Sequence, residues 1–103
     1  MSTFQAFAKL QNLKSLTMNR CIDISGNVIQ AIGTNCTNLK TLEVSCISFL
    51  LQSNDMLHIA QLTNLEVLKI SMNALVTDEF FSNLASKCLR LKYLDIAGKS
   101  NII

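Results

Sequence analysis

The chain has 103 residues, half of them hydrophobic but only 6% aromatic and 16% charged, a composition that excludes disorder and leaves room for one small domain or a piece of a larger one. Proline is absent and glycine occurs three times, which excludes collagen, a proline-rich linker and a low-complexity tail. Nine basic and seven acidic residues spread along the chain give a formal charge of +2, so the sequence carries no electrostatic footprint for nucleic acid or an anionic membrane surface.

At the amino terminus, Met1 to Lys9 contains no uninterrupted apolar run after a basic start, and no window approaches the roughly 18 apolar residues that span a bilayer. An unexported chain, cytoplasmic or nuclear and without a membrane partner, is expected. From residue 13 onward the chain is organised by an internal period. Leu13, Leu39, Leu65 and Leu91 stand 26 residues apart, and so do Leu16, Leu42, Leu68 and Leu94. Met18, Val44, Ile70 and Ile96 form a third apolar row two places later. Each segment, from Leu-Lys-Ser-Leu-Thr-Met to Leu-Lys-Tyr-Leu-Asp-Ile, reads as a short alternating strand.

After each strand the hydrophobic period lengthens toward 3.6, the sign of a strand handing over to a helix. The first helix is expected after Ile24-Ser25-Gly26, with Val28, Ile29, Ile32, Gly33 and Cys36 on one face. The third follows Val76-Thr77-Asp78-Glu79, where a hydroxyl or carboxylate cap and an acidic first turn precede Phe80, Phe81, Leu84, Ala85 and Cys88. Of these, Ile29, Ile32, Phe81 and Leu84 are expected to hold the core. The second helix should be rotated, because His58 occupies the position of Ile32 and Leu84, while Met56, Leu57 and Ile59 supply apolar mass nearby.

On this period the units are 13–38, 39–64 and 65–90, followed by an incomplete unit 91–103. Residues 1–12 form the end of a preceding unit, with Phe7 and Leu10 at the positions of Ala85 and Cys88. At the far end Ile102 aligns with Val76, so the last helix is missing. Neither end carries a polar cap, and an excerpt from a longer array is expected. One strand and one helix cannot close a core alone. Stacking the units in parallel does so, which predicts a right-handed α/β solenoid with leucines facing the helices and the intervening strand residues on an open face.

The reactive side chains suggest no catalytic or metal chemistry. Cys21, Cys36, Cys46 and Cys88 contain no Cys-x-x-Cys pair and have only His58 as an imidazole companion, so neither a structural zinc nor a cofactor is expected. Reduced, buried thiols are expected. Cys36 and Cys88 lie two units apart, too far for a disulfide, whereas Cys21 and Cys46 belong to adjacent units and could pack together. Asn35-Cys36-Thr37 matches a glycosylation acceptor, but its middle residue belongs to the buried column. An enzyme using His58 and the cysteines is an alternative of another class.

The open face is more informative. Thr17, Glu43, Lys69 and Asp95 form one row, in which Glu43, Lys69 and Asp95 alternate in sign and can neutralise one another across strands about 4.8 Å apart. Ser15, Thr41, Val67 and Tyr93 form another, apolar toward its end. Glu43, Val67, Lys69, Tyr93 and Asp95 are therefore the candidate partner-binding residues, with Tyr93 and Val67 as anchors.

The Leu-x-x-Leu-x-Ile/Val core resembles the leucine-rich repeat. Cys21-x-x-Ile24, Ile32-x-x-x-Cys36-x-x-Leu39 and Val76-Thr77-Asp78-Glu79 through Leu84-Ala85-x-x-Cys88-x-x-Leu91 resemble its cysteine-containing subclass. Asn73 and Lys99 replace the first cysteine in units three and four, Cys46 stands one place early, and Leu62 occupies the later cysteine position. The subclass is typical of F-box leucine-rich repeat proteins, the substrate receptors of cullin-based (SCF-type) ubiquitin ligases. The resemblance implies a concave strand face that binds a protein substrate, and it implies a ligase adaptor only if an F-box exists outside this chain. A leucine-rich scaffold of another intracellular pathway, an innate sensor or a GTPase regulator, is the alternative, although those families tend toward repeats of 28 or 29 residues.

Overall fold

The computed structural model describes residues 11–21, 25–46, 51–71 and 76–96. Four strands, β1 (Ser15–Cys21), β2 (Thr41–Cys46), β3 (Val67–Ile70) and β4 (Tyr93–Asp95), form one parallel sheet in the order 1-2-3-4. Parallel neighbours need a crossover. Each crossover here carries a helix: α1 (Gly26–Asn35), a 3-10 helix (Ser53–Gln61) and α2 (Asp78–Lys87). The chain is thus α/β, with the 26-residue period visible in its pairing. Leu16 lies opposite Leu42, Leu42 opposite Leu68, and Leu68 opposite Leu94.

The same step governs the backbone just ahead of each strand. The Lys14 carbonyl accepts from the N–H groups of Lys40 (2.8 Å) and Thr41 (3.0 Å), Lys40 accepts from Glu66 and Val67, and Glu66 accepts from Lys92 and Tyr93. One carbonyl therefore anchors two amides of the next unit, and the register cannot slip without breaking both bonds. The turns are stitched by side chains as well. Asn38 Nδ2 donates to the Gln11 carbonyl and Asn64 Nδ2 to the Thr37 carbonyl, each at 2.9 Å. Arg90 holds the equivalent place one unit later, beside the exposed Leu89.

Between β1 and β2 the register shifts after Asn19, so that Cys21 lies opposite Cys46. One extra residue in β1 absorbs the early position of Cys46, in the manner of a β-bulge. The two cysteines are in register along the backbone; whether their side chains pack together lies outside the described residues, as do the expectations for 1–10 and 97–103.

The helices differ in how they begin. Thr77 caps α2, its Oγ1 accepting the Phe80 N–H at 3.2 Å, and Asp78 and Glu79 follow in the first turn while Lys87 stands in the last, all favourable to the helix dipole. Ser25 holds the matching place at α1 with a similar extended backbone but makes no side-chain cap bond. In the middle unit that place belongs to Leu51, which is buried. The helix there starts after Gln52, whose N–H donates to Asp55 Oδ2 at 2.8 Å, and it winds as a 3-10 helix. Its Met56, Ile59 and Ala60 are buried and His58 is half-buried, the rotation that the position of His58 predicted.

Ile29 and Ile32 from α1, Met56 and Ile59 from the 3-10 helix, and Phe80 and Leu84 from α2 join Leu39, Leu42, Val44, Leu65, Leu68 and Ile70 in one core. The expectation that Phe81 holds this core needs correction: Phe80 is fully buried while Phe81 is half-buried. Successive residues of an α-helix point about 100° apart, so two neighbouring rings cannot both face the sheet. Phe81 packs against the margin of the core and meets Phe80 edge-on, with ring centroids 5.8 Å apart. Gly33 is buried where α1 crosses the 3-10 helix. A Cβ there would collide with the His58 carbonyl oxygen and reach to 3.1 Å from Gln61 Oε1, so this crossing requires glycine. At the last strand the leucine column loses its cover: Leu42 and Leu68 are buried, whereas Leu94 is 39% exposed.

Candidate functional site: the open strand face

Alternation along the strands sends Leu42, Val44, Leu68 and Ile70 into the core and leaves the residues between them on the opposite face. Pairing assembles the two expected rows: Thr17, Glu43, Lys69 and Asp95 lie successively opposite one another, and so do Ser15, Thr41, Val67 and Tyr93. Thr17, Lys69 and Tyr93 are exposed, while Glu43, Val67 and Asp95 are half-buried. Tyr93 keeps 51% of its surface in water.

The charged row does not neutralise itself as the alternation of signs suggested. Among the described residues no ion pair joins Lys69 to Glu43 or Asp95. The Lys69 ammonium lies instead 5.8 Å from the centroid of the Tyr93 ring, in the neighbouring row. A cation over an aromatic face is attracted by the ring quadrupole, and a lysine on a solvated surface gives up little by choosing it over an exposed carboxylate. An ion pair forms elsewhere, between Lys92 and Glu66 at 3.7 Å, with the lysine largely in water. Such a pair contributes about 0 to 1 kcal/mol.

Beside the contact of Lys69 with Tyr93 lies a shallow depression of about 230 Å³ lined by Glu43, Val44, Ser45, Lys69, Ile70, Ser71 and Asp95. Val44 and Ile70 have buried side chains, so they contribute the floor through their main chains. Ser71 Oγ donates to Ser45 Oγ at 3.0 Å. This serine pair is absent from the expected site residues. Its signal is in the sequence, since Ser45 and Ser71 stand 26 residues apart and two places beyond Glu43 and Lys69. Three of the five candidates, Glu43, Lys69 and Asp95, line the depression; Val67 and Tyr93 flank it.

Cys36 and Cys88 lie on the opposite side of the sheet, in the core. Cys36 and Cys88 are free and buried, and burial pushes both above the usual thiol range, Lys87 partly offsetting the effect at Cys88. Cys88 Sγ lies 3.5 Å from the Leu62 carbonyl and 3.6 Å from that of Ala60, placed to donate to the preceding unit. Cys36 is buried in the core and Cys88 is buried and engaged with backbone, environments that favour packing over thiolate chemistry. Among the described residues no helix is long and apolar enough to cross a membrane. No protein-family model matches the chain, and no solved structure matches it.

Proposed function

We propose that this chain is a stretch of leucine-rich-repeat solenoid that binds a protein through its strand face, as the substrate-reading region of an F-box-type ubiquitin ligase receptor. The observation that supports the binding reading is the division of the sheet into two faces. One is filled by leucines at 26-residue steps, the other carries an exposed tyrosine, a lysine and two half-buried carboxylates with no helix over them among the described residues. Helices hold the stack and the strand face is left to recognise. The ligase assignment is supported by the cysteine-containing repeat pattern and the repeat length of 26.

The test is photo-crosslinking in cells, with a photoreactive amino acid placed at Val67 on the strand face or at Ser82, exposed on α2. A protein captured from position 67 and not from position 82, with ubiquitin attached and a half-life that lengthens when cullin activation is blocked, is the expected result. Equal capture from both positions would overturn the choice of face. A captured protein whose turnover ignores cullin inhibition would overturn the ligase assignment alone.

A further inference from the structure

The depression on the strand face has a charge pattern that selects its occupant. Its lining offers two carboxylates, Glu43 and Asp95, and two hydroxyl oxygens, Ser45 and Ser71. Its one cation, Lys69, is drawn toward the Tyr93 ring. The lining therefore carries a formal charge of −1 and is rich in acceptors. Glu43 and Asp95 lie on strands either side of β3, both in register with Lys69. Two strand spacings place them about 10 Å apart.

We propose that this depression receives an arginine side chain of a protein partner, its guanidinium lying between Glu43 and Asp95 with the serine hydroxyls as further acceptors. The inference rests on the reading that the strand face binds protein. Charge balance tells against acidic and apolar side chains. An acidic group would meet two carboxylates, and an apolar group would take both carboxylates out of water without a donor in return. A cation brings the patch to two positive and two negative charges. Arginine fits better than lysine because its planar fork carries donors on opposite edges and can address carboxylates on both sides at once, where an ammonium is a point charge. Lys69 stays over Tyr93, so the ring parks the resident cation away from the incoming one.

The experiment is a selection of random 12-residue peptides on the full chain, followed by affinity measurements on the enriched sequences. Enriched peptides should share an arginine, and replacing it with the neutral isostere citrulline should weaken binding about tenfold or more. Glu43→Gln and Asp95→Asn should each give a similar loss with the melting curve unchanged, and Lys69→Met should tighten binding a few-fold by removing the nearby cation. Peptides that lose affinity on Tyr93→Ala but carry no basic residue, or that bind Glu43→Gln and Asp95→Asn normally, would overturn the arginine inference and leave the strand face standing. Peptides indifferent to Tyr93→Ala, Glu43→Gln and Asp95→Asn alike, or a selection that enriches nothing, would overturn both.

Discussion

Helices α1 and α2 occupy matching positions two 26-residue steps apart, Gly26–Asn35 and Asp78–Lys87, yet equivalent residues do different jobs in them. Val28 is half-buried where Phe80 is fully buried, Gly33 is buried where Ala85 is exposed, and Ser25 makes no cap bond where Thr77 makes one. Both helices pack on the same 3-10 helix, α1 from the side of the preceding unit and α2 from that of the following one. A residue's position in the period sets which face of its helix it joins. The flank on which the neighbour lies then decides how deeply it is buried.

Paired substitutions at equivalent places test this contrast. The largest effect is expected at the aromatic pair: Phe80→Ala should lower unfolding free energy in urea by about 3 to 5 kcal/mol, and Val28→Ala by only about 1 kcal/mol. Phe81→Ala should resemble Val28→Ala; equal losses at Phe80 and Phe81 would return both rings to the core. Next is the helix crossing. Gly33→Val should cost about 3 kcal/mol, because the added atoms meet the His58 carbonyl and backbone has to move. Ala85→Val, on an exposed surface, should stay within about 0.5 kcal/mol.

At the caps, Thr77→Ala should lose about 1 kcal/mol through the orphaned Phe80 N–H. Ser25→Ala should be close to neutral, since no bond is lost. Tyr93→Ala removes an exposed ring whose contact with Lys69 is worth about 0.5 to 1 kcal/mol, so its melting temperature should fall far less than that of Leu84→Ala.

The weakest dependence near neutrality is on alkali. In the folded chain Cys36 and Cys88 ionise above the ordinary thiol value of 9.0. Above that pH the unfolded chain releases thiol protons that the folded chain keeps. The folded state then holds more protons, and stability falls as pH rises. Unfolding free energy should be insensitive to these thiols below about pH 8, and their contribution should turn destabilising from about pH 9 upward. Cys36→Ala should remove part of that contribution, as should Cys88→Ala. A curve of the intact protein that stays parallel to those of both variants up to pH 10 would show both thiols to be solvated.

Much of the strand face is legible in the sequence. Leucine columns at a constant step place the strands and their cross-strand neighbours up to the register shift after Asn19, because register follows from repeating one unit length: Thr17, Glu43, Lys69 and Asp95 meet as the period requires. Helix α2 begins at Thr77, the hydroxyl among the cap residues the sequence offered, whereas α1 begins at Gly26 after a Ser25 that makes no side-chain cap bond. Side-chain choices within that frame are less legible. Opposite signs in one row suggest neutralisation, but Lys69 reaches diagonally to Tyr93, an option visible only when both rows are in place. The serine pair keeps the same 26-residue step, but polar residues at strand ends resemble ordinary turn residues until their neighbour is known.

The period by itself determined the unit length, the parallel pairing and the division of each strand into an inner and an outer face, since all three are consequences of local geometry repeated at fixed spacing. Tertiary structure decided the rest through space shared between units. It placed Phe80 rather than Phe81 in the core, required no side chain at Gly33, left Leu94 partly in water while Leu68 is sealed, and turned Lys69 away from its carboxylates. Each outcome depends on what stands on the far side of a neighbouring unit, and a one-dimensional repeat gives identical columns to residues whose neighbours differ.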